Sequence, residues 1–80
     1  MYLEIISPDK KIFSGDVSLV QLPGSTGSFE VMENHAPIIS SLTNGKVRVI
    51  IEDGKEQLFD IGGGVIESNN NKLIILVEEI

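Results

Sequence analysis

Eighty residues, 41% of them hydrophobic, make a single-domain length of chain that can bury only about 60% of the surface its unfolded form exposes. Twelve acids against six bases give a net charge of −6, which argues against nucleic-acid phosphates and anionic lipid as partners and suits a cationic protein surface. The absence of cysteine excludes disulfides and thiolate metal sites, and the longest apolar run, Leu73 to Val77, falls far short of the ~18 residues of a membrane span.

Met1 leads directly into strand-like sequence, which predicts no signal or transit peptide. Tyr2 to Ser7 alternates, with Leu3 and Ile5 on one face and Glu4 on the other. Pro8-Asp9-Lys10-Lys11 predicts a turn, Ile12-Phe13 a short strand ending at Ser14-Gly15-Asp16, and Val17 to Leu22 a strand apolar on both faces. Pro23-Gly24 and Gly27 punctuate the next turn, and Pro37 forces Ala36 into an extended conformation, so Asn34-His35-Ala36-Pro37 is a shaped corner. Ala36 to Leu42 is the one stretch with helix-like spacing. Its Ile38-Ile39 pair and two serines oppose a helix, leaving room for one turn near Pro37.

Asn44-Gly45 between apolar runs predicts a type I′ hairpin. Lys46 to Glu52 alternates with Val47, Val49 and Ile51 inward, and Asp53-Gly54 predicts a second tight turn. Gln57, Phe59 and Ile61 then alternate with Glu56, Leu58 and Asp60. Gly62-Gly63-Gly64 within a strand predicts a bulge or the close approach of another backbone. Asn69-Asn70-Asn71 links Val65–Ser68 to Lys72–Val77 through residues that tolerate the left-handed region, and Glu78-Glu79 reads as a solvated tail. The expected fold is all-β: one domain over residues 1–80, an antiparallel β-sandwich or flattened barrel of about ten short strands.

Residues able to carry chemistry are sparse. His35, the only histidine, has just Glu30 and Glu33 near it in sequence, too few for a metal site, and no Gly-x-Ser-x-Gly elbow supplies a nucleophile. Pro23 to Ser28 is rich in glycine and serine, but it lacks the Gly-Lys-[Ser/Thr] ending and the helix of a phosphate loop. No pair of carboxylates is bracketed by features that would raise a pKa. No catalytic set, cofactor or metal is expected. One alternative is a small carrier domain of the lipoyl or biotinyl type, for which Lys55, beside the Asp53-Gly54 turn, is the candidate lysine, in neighbours that do not fit. A free-standing ligand-binding barrel is another, with fewer aromatic and convergent polar residues than such a site usually has.

Five motifs occur in order: Pro8-Asp9 with Ile12-Phe13-x-Gly15, Pro23-Gly24 with Gly27 and Phe29, Asn34-His35-Ala36-Pro37, Gly63-Gly64-x-x-Glu67, and Leu73-x-Ile75-Leu76. Together with the Gly45 hairpin they make the whole chain resemble the beta domain of the epsilon subunit of the rotary F-type ATP synthase. That resemblance implies a non-catalytic rotor subunit, clamped to the gamma subunit and seated on the polar loops of the c-ring. It joins proton-driven c-ring rotation to gamma and so to ATP synthesis. The implied place is peripheral, on the cytoplasmic face of the bacterial cell membrane, with no direct membrane insertion and no nucleic acid.

The resemblance also implies site residues. Asn34, His35, Ala36, Pro37 and Ser40 align with positions facing gamma. The loop from Ser25 to Glu30 aligns with the one facing the c-ring. Ser28 stands where many relatives place an acid, so Glu30, two residues on and on the same face, is expected to supply the charge, with Glu33 as the other candidate. Glu33 itself stands where many relatives have proline. Relatives commonly continue past the strand matching Leu73–Val77 into an α-helical hairpin, so a chain ending at Ile80 is expected to connect the rotor without regulating it.

Overall fold

The structure, a computed structural model, describes residues 1–78; Glu79 of the expected solvated tail lies outside the described residues, while Glu78 is exposed. Six strands account for most of those residues: β1 (Tyr2–Ile6), β2 (Lys11–Gly24), β3 (Gly27–Met32), β4 (Ile38–Ile51), β5 (Glu56–Asn69) and β6 (Lys72–Val77). No helix occurs among them, and the stretch after Pro37 is strand from its first residue.

Strands β1, β6, β5, β4 and β2 pair in that order, and β2 pairs back to β1, closing a five-stranded ring to which β3 is added on β2. The extents of 27 × 23 × 18 Å make it a flattened barrel. One layer holds the start of β2, β1, β6, the end of β5 and the start of β4. The other holds β3, the end of β2, the end of β4 and the start of β5. The pairings are antiparallel except β1–β6, where Leu3 lies beside Leu73 and Ile5 beside Ile75 in parallel. That one parallel pair corrects the purely antiparallel expectation. It arises because the first and last strands meet at the closure of the ring.

The strand count is six where about ten were expected. Residues read as breaks are bends inside long strands. Ser14-Gly15-Asp16 lies within β2, which pairs with β1 before Val17 and with β4 from Val17 onward. Asn44-Gly45 makes no hairpin: Asn44 pairs with Gly62 and Gly45 with Ile61 inside a continuous β4. Gly45 does not have a positive φ; a Cβ there would sit 3.0 Å from that of Pro23, so its smallness lets β2 and β4 cross closely. The four residues of β2 from Gln21 to Gly24 face seven of β4, from Leu42 to Arg48, and β4 bends at that mismatch.

Elsewhere the turn chemistry holds. Gly54 has φ 91°, its N–H donates to the Ile51 carbonyl at 2.8 Å, and the Asp53 carboxylate accepts from the Lys55 N–H at 3.1 Å. Asn70 and Asn71 have φ of 54° and 61°, the pair of left-handed residues a two-residue hairpin requires between Asn69 and Lys72. Ser7 closes the first turn, its N–H donating to the Lys10 carbonyl at 2.9 Å.

The core is aliphatic. Leu3, Ile5, Val17, Val20, Leu22, Val31, Val47, Val49, Ile66 and Ile75 are wholly buried between the layers, with Phe13 and Phe59 edge-to-face at 5.7 Å on its margin. Each such side chain contributes about 1.5–3 kcal/mol by leaving water, which a domain of this size needs to offset its chain entropy.

Candidate functional site: the His35 corner and the β2–β3 turn

The predicted contact residues fall at opposite ends of β3. At one end, Ser25-Thr26 forms the tip of the β2–β3 hairpin between Gly24 and Gly27. Ser25 ties this tip to β4, its N–H donating to the Ser41 carbonyl at 3.2 Å and the two hydroxyls lying 2.9 Å apart. Ser28 and Glu30 alternate with Phe29 and Val31, so both project to the exposed outer face, as expected. Among the described residues the ion pairs engage Glu4, Glu33, Asp53, Glu56 and Asp60 and leave Glu30 without one.

At the other end, six residues on and therefore about 20 Å away, the chain leaves β3 into the corner. The His35 N–H donates to the Met32 carbonyl at 3.1 Å, and Asn34 takes φ 65°, which an L-residue other than asparagine seldom adopts. Asn34, His35, Ala36 and Pro37 are all exposed, and among the described residues the His35 ring bonds only locally, Nδ1 lying 2.7 Å from the Ala36 carbonyl oxygen. Glu33 stands apart from Ser28 and Glu30. Its carboxylate accepts a 2.7 Å hydrogen bond from the Met1 amino group, so the structure does not bring the three acid-site candidates together.

Three shallow depressions adjoin around the corner, sharing Pro37, Asn70, Glu67 and Asn69 along their margins. Beside them lies an apolar strip that the sequence reading did not single out. On the outer face of the β1/β6 layer, Val65 pairs with Leu76 and Leu76 with Ile6, while Ile39 lies diagonally across from Val65. Ile39 is 75% exposed, Leu76 53% and Val65 41%. Ser40, expected at the interface, is half-buried, and it is its neighbour Ile39 that projects into solvent. The signal available was the lack of alternation in Ile38-Ile39, Val65-Ile66 and Leu73–Val77, because a strand apolar on both faces has two faces to cover.

No group of three or more His, Asp or Glu side chains among the described residues could hold a metal. The one clearly perturbed pair is remote from both ends of β3. The Lys11 ammonium, hydrogen-bonding Glu4 at 3.0 Å, holds that carboxyl below its ordinary range, and Glu4 in return raises Lys11.

The family model for the ATP synthase delta/epsilon chain, beta-sandwich domain, matches residues 1–80. The chain belongs to this family. It is 44% identical over 78 residues to the ATP synthase epsilon chain of Chlorobaculum tepidum, covering 98% of this chain and 89% of that one. The epsilon chain of Caulobacter vibrioides is 40% identical over 79 residues, covering 98% and 90%. Among solved structures, a chain of the Euglena gracilis mitochondrial ATP synthase superposes with a TM-score of 0.91 at 24% identity, over 96% of this chain. One from the central stalk and c-ring of the Tetrahymena thermophila enzyme superposes at 0.82 and 15% identity, over 99%. At those identities the likeness is one of fold, and this chain spans 49% and 63% of the two structures' chains. Membership in the delta/epsilon family replaces the carrier-domain and ligand-barrel alternatives. Lys55 is then an exposed hairpin residue, 3.9 Å from Asp53.

Proposed function

We propose that this chain is a non-catalytic rotor subunit of an F-type ATP synthase, joining the gamma subunit to the c-ring so that ion-driven ring rotation reaches the catalytic head. The observation that carries the reading is the exposed apolar strip of Ile39, Val65 and Leu76 beside the shaped His35 corner, on a member of the delta/epsilon family. Exposed aliphatic side chains in register across neighbouring strands lose free energy to water until a partner covers them.

The gamma contact is assigned to Asn34, His35, Ala36 and Pro37 together with Ser40 and the adjoining strip. The c-ring contact is assigned to the Ser25-Thr26 tip with Ser28 and Glu30, which present hydroxyls and an unpaired carboxylate to a basic polar loop. Glu33, held at the corner end by Met1, belongs with the first surface by position. Two patches of about 800 Å² each would cover roughly a third of the 4599 Å² surface, which leaves room for both partners at once. Work of this kind asks for shape and many modest contacts. The place assigned is peripheral, at the cytoplasmic face of a bacterial membrane; no helix of the described residues is long and apolar enough to cross one.

The test is reconstitution. The subunit should co-purify with gamma and the c-ring, and a charged residue at position 39 should release gamma while the domain stays folded. Retention of gamma by Ile39→Asp would move the interface off this face.

A further inference from the structure

We infer that Asn71 is a positioning residue, holding the exposed corner in the shape it presents; the inference rests on the corner being the gamma contact. The Asn34 N–H donates to Asn71 Oδ1 at 2.7 Å, and Asn71 Nδ2 donates to Asn34 Oδ1 at 3.0 Å. The Asn71 side-chain amide therefore engages both the backbone N–H and the side-chain oxygen of Asn34, between segments far apart in sequence. Asn71 is itself tied to β1, its carbonyl accepting from the Tyr2 N–H at 2.9 Å. It thus links the closure of the barrel to the corner.

The corner needs such a link. Its four residues are exposed and contribute nothing to the core, and among the described residues the bonds of His35 reach only Met32 and Ala36. The left-handed Asn34 has no steric reason to persist without a partner for its N–H. The turn alone does not ask for asparagine at position 71. Its second residue, at φ 61°, is where hairpins of this type prefer glycine. The extra atoms of the amide are the ones that reach Asn34, so their use lies in the corner and not in the turn.

Asn71→Gly separates the two roles, because it keeps the left-handed φ and removes both bonds to Asn34. In the assembled subunit, with gamma from the same enzyme as binding partner, we expect unchanged melting and gamma affinity lowered about tenfold by the loss of pre-organisation. Asn71→Asp, which retains the acceptor for the Asn34 N–H, should recover part of the affinity. The Asn34 amide should exchange faster with solvent in Asn71→Gly than in the parent. If Asn71→Gly binds gamma as the parent does while His35→Glu does not, the corner is the interface and Asn71 does not position it. If neither variant alters binding, the corner is not the interface and the inference falls with that reading. Affinities that follow melting temperature alone across both Asn71 variants would make the residue a stability element and overturn the inference.

Discussion

Gly64 passes so close beneath Leu76 that a β-carbon on the glycine would lie 2.1 Å from the leucine carbonyl oxygen. The contact is backbone on backbone, so no side chain can swing away to relieve it. Gly64→Ala should cost about 3 kcal/mol, the upper range for an overpacked interior. Gly54→Ala, also at positive φ but facing open space, should cost nearer ~1 kcal/mol from backbone strain alone. Urea unfolding midpoints at unchanged slope check both values, and equal costs would show that the close approach is relieved by strand movement.

The Glu4–Lys11 pair sets a pH dependence with a definite sign. Because the folded carboxyl titrates below its ordinary value, its contribution is complete above about pH 5 and is lost as pH falls through the folded pKa. Lys11, raised in the fold, contributes fully below about 10.4 and loses that contribution as pH rises through its higher folded value. Glu4→Gln should flatten the acid limb of a plot of stability against pH. An acid limb of unaltered slope would assign it to other carboxylates.

Glu30 faces solvent without an ion-pair partner among the described residues. Glu30→Gln should make attachment to the c-ring less sensitive to salt, with less than about 1 kcal/mol lost at equilibrium, since rim charges act chiefly on association rate. The checking measurement is the association rate across a salt series. Parallel salt slopes for the two proteins would remove Glu30 from the contact.

Ile39, exposed on the outer face, contributes little to the core, so Ile39→Asp should shift the domain's own stability by no more than about 0.5 kcal/mol. Circular dichroism and thermal melting check this half, and a marked fall in melting temperature would show that the side chain packs in the isolated domain. Its release of gamma, measured separately, reports on the interface.

Two dipeptides show what local sequence can and cannot carry. Asp53-Gly54 and Asn70-Asn71 turn as expected because their left-handed residues are flanked by strands that pair with each other at once. Asn44-Gly45 has the same local chemistry and stays extended. Its glycine is there to let Pro23 approach, a requirement imposed by a residue far earlier in the chain. Gly15 and Gly62 to Gly64 likewise sit within long strands, so counting turn residues overcounts strands. Gly64 is the instance in which close approach of another backbone was legible. In the candidate site, the corner was marked by its proline and by the motif around His35. The apolar strip was not, because Ile39, Val65 and Leu76 lie in three strands and become neighbours only through pairing register.

Strands β2, β4 and β5 each continue from one layer of the barrel into the other. Two stacked sheets joined only by side chains could slide along the plane between them. Here that slip plane is crossed by continuous backbone in three places. A sideways load entering at the Ser25-Thr26 tip meets covalent chain along its path to the far layer. Sliding one layer past the other would therefore have to bend or stretch the backbone of β2, β4 and β5.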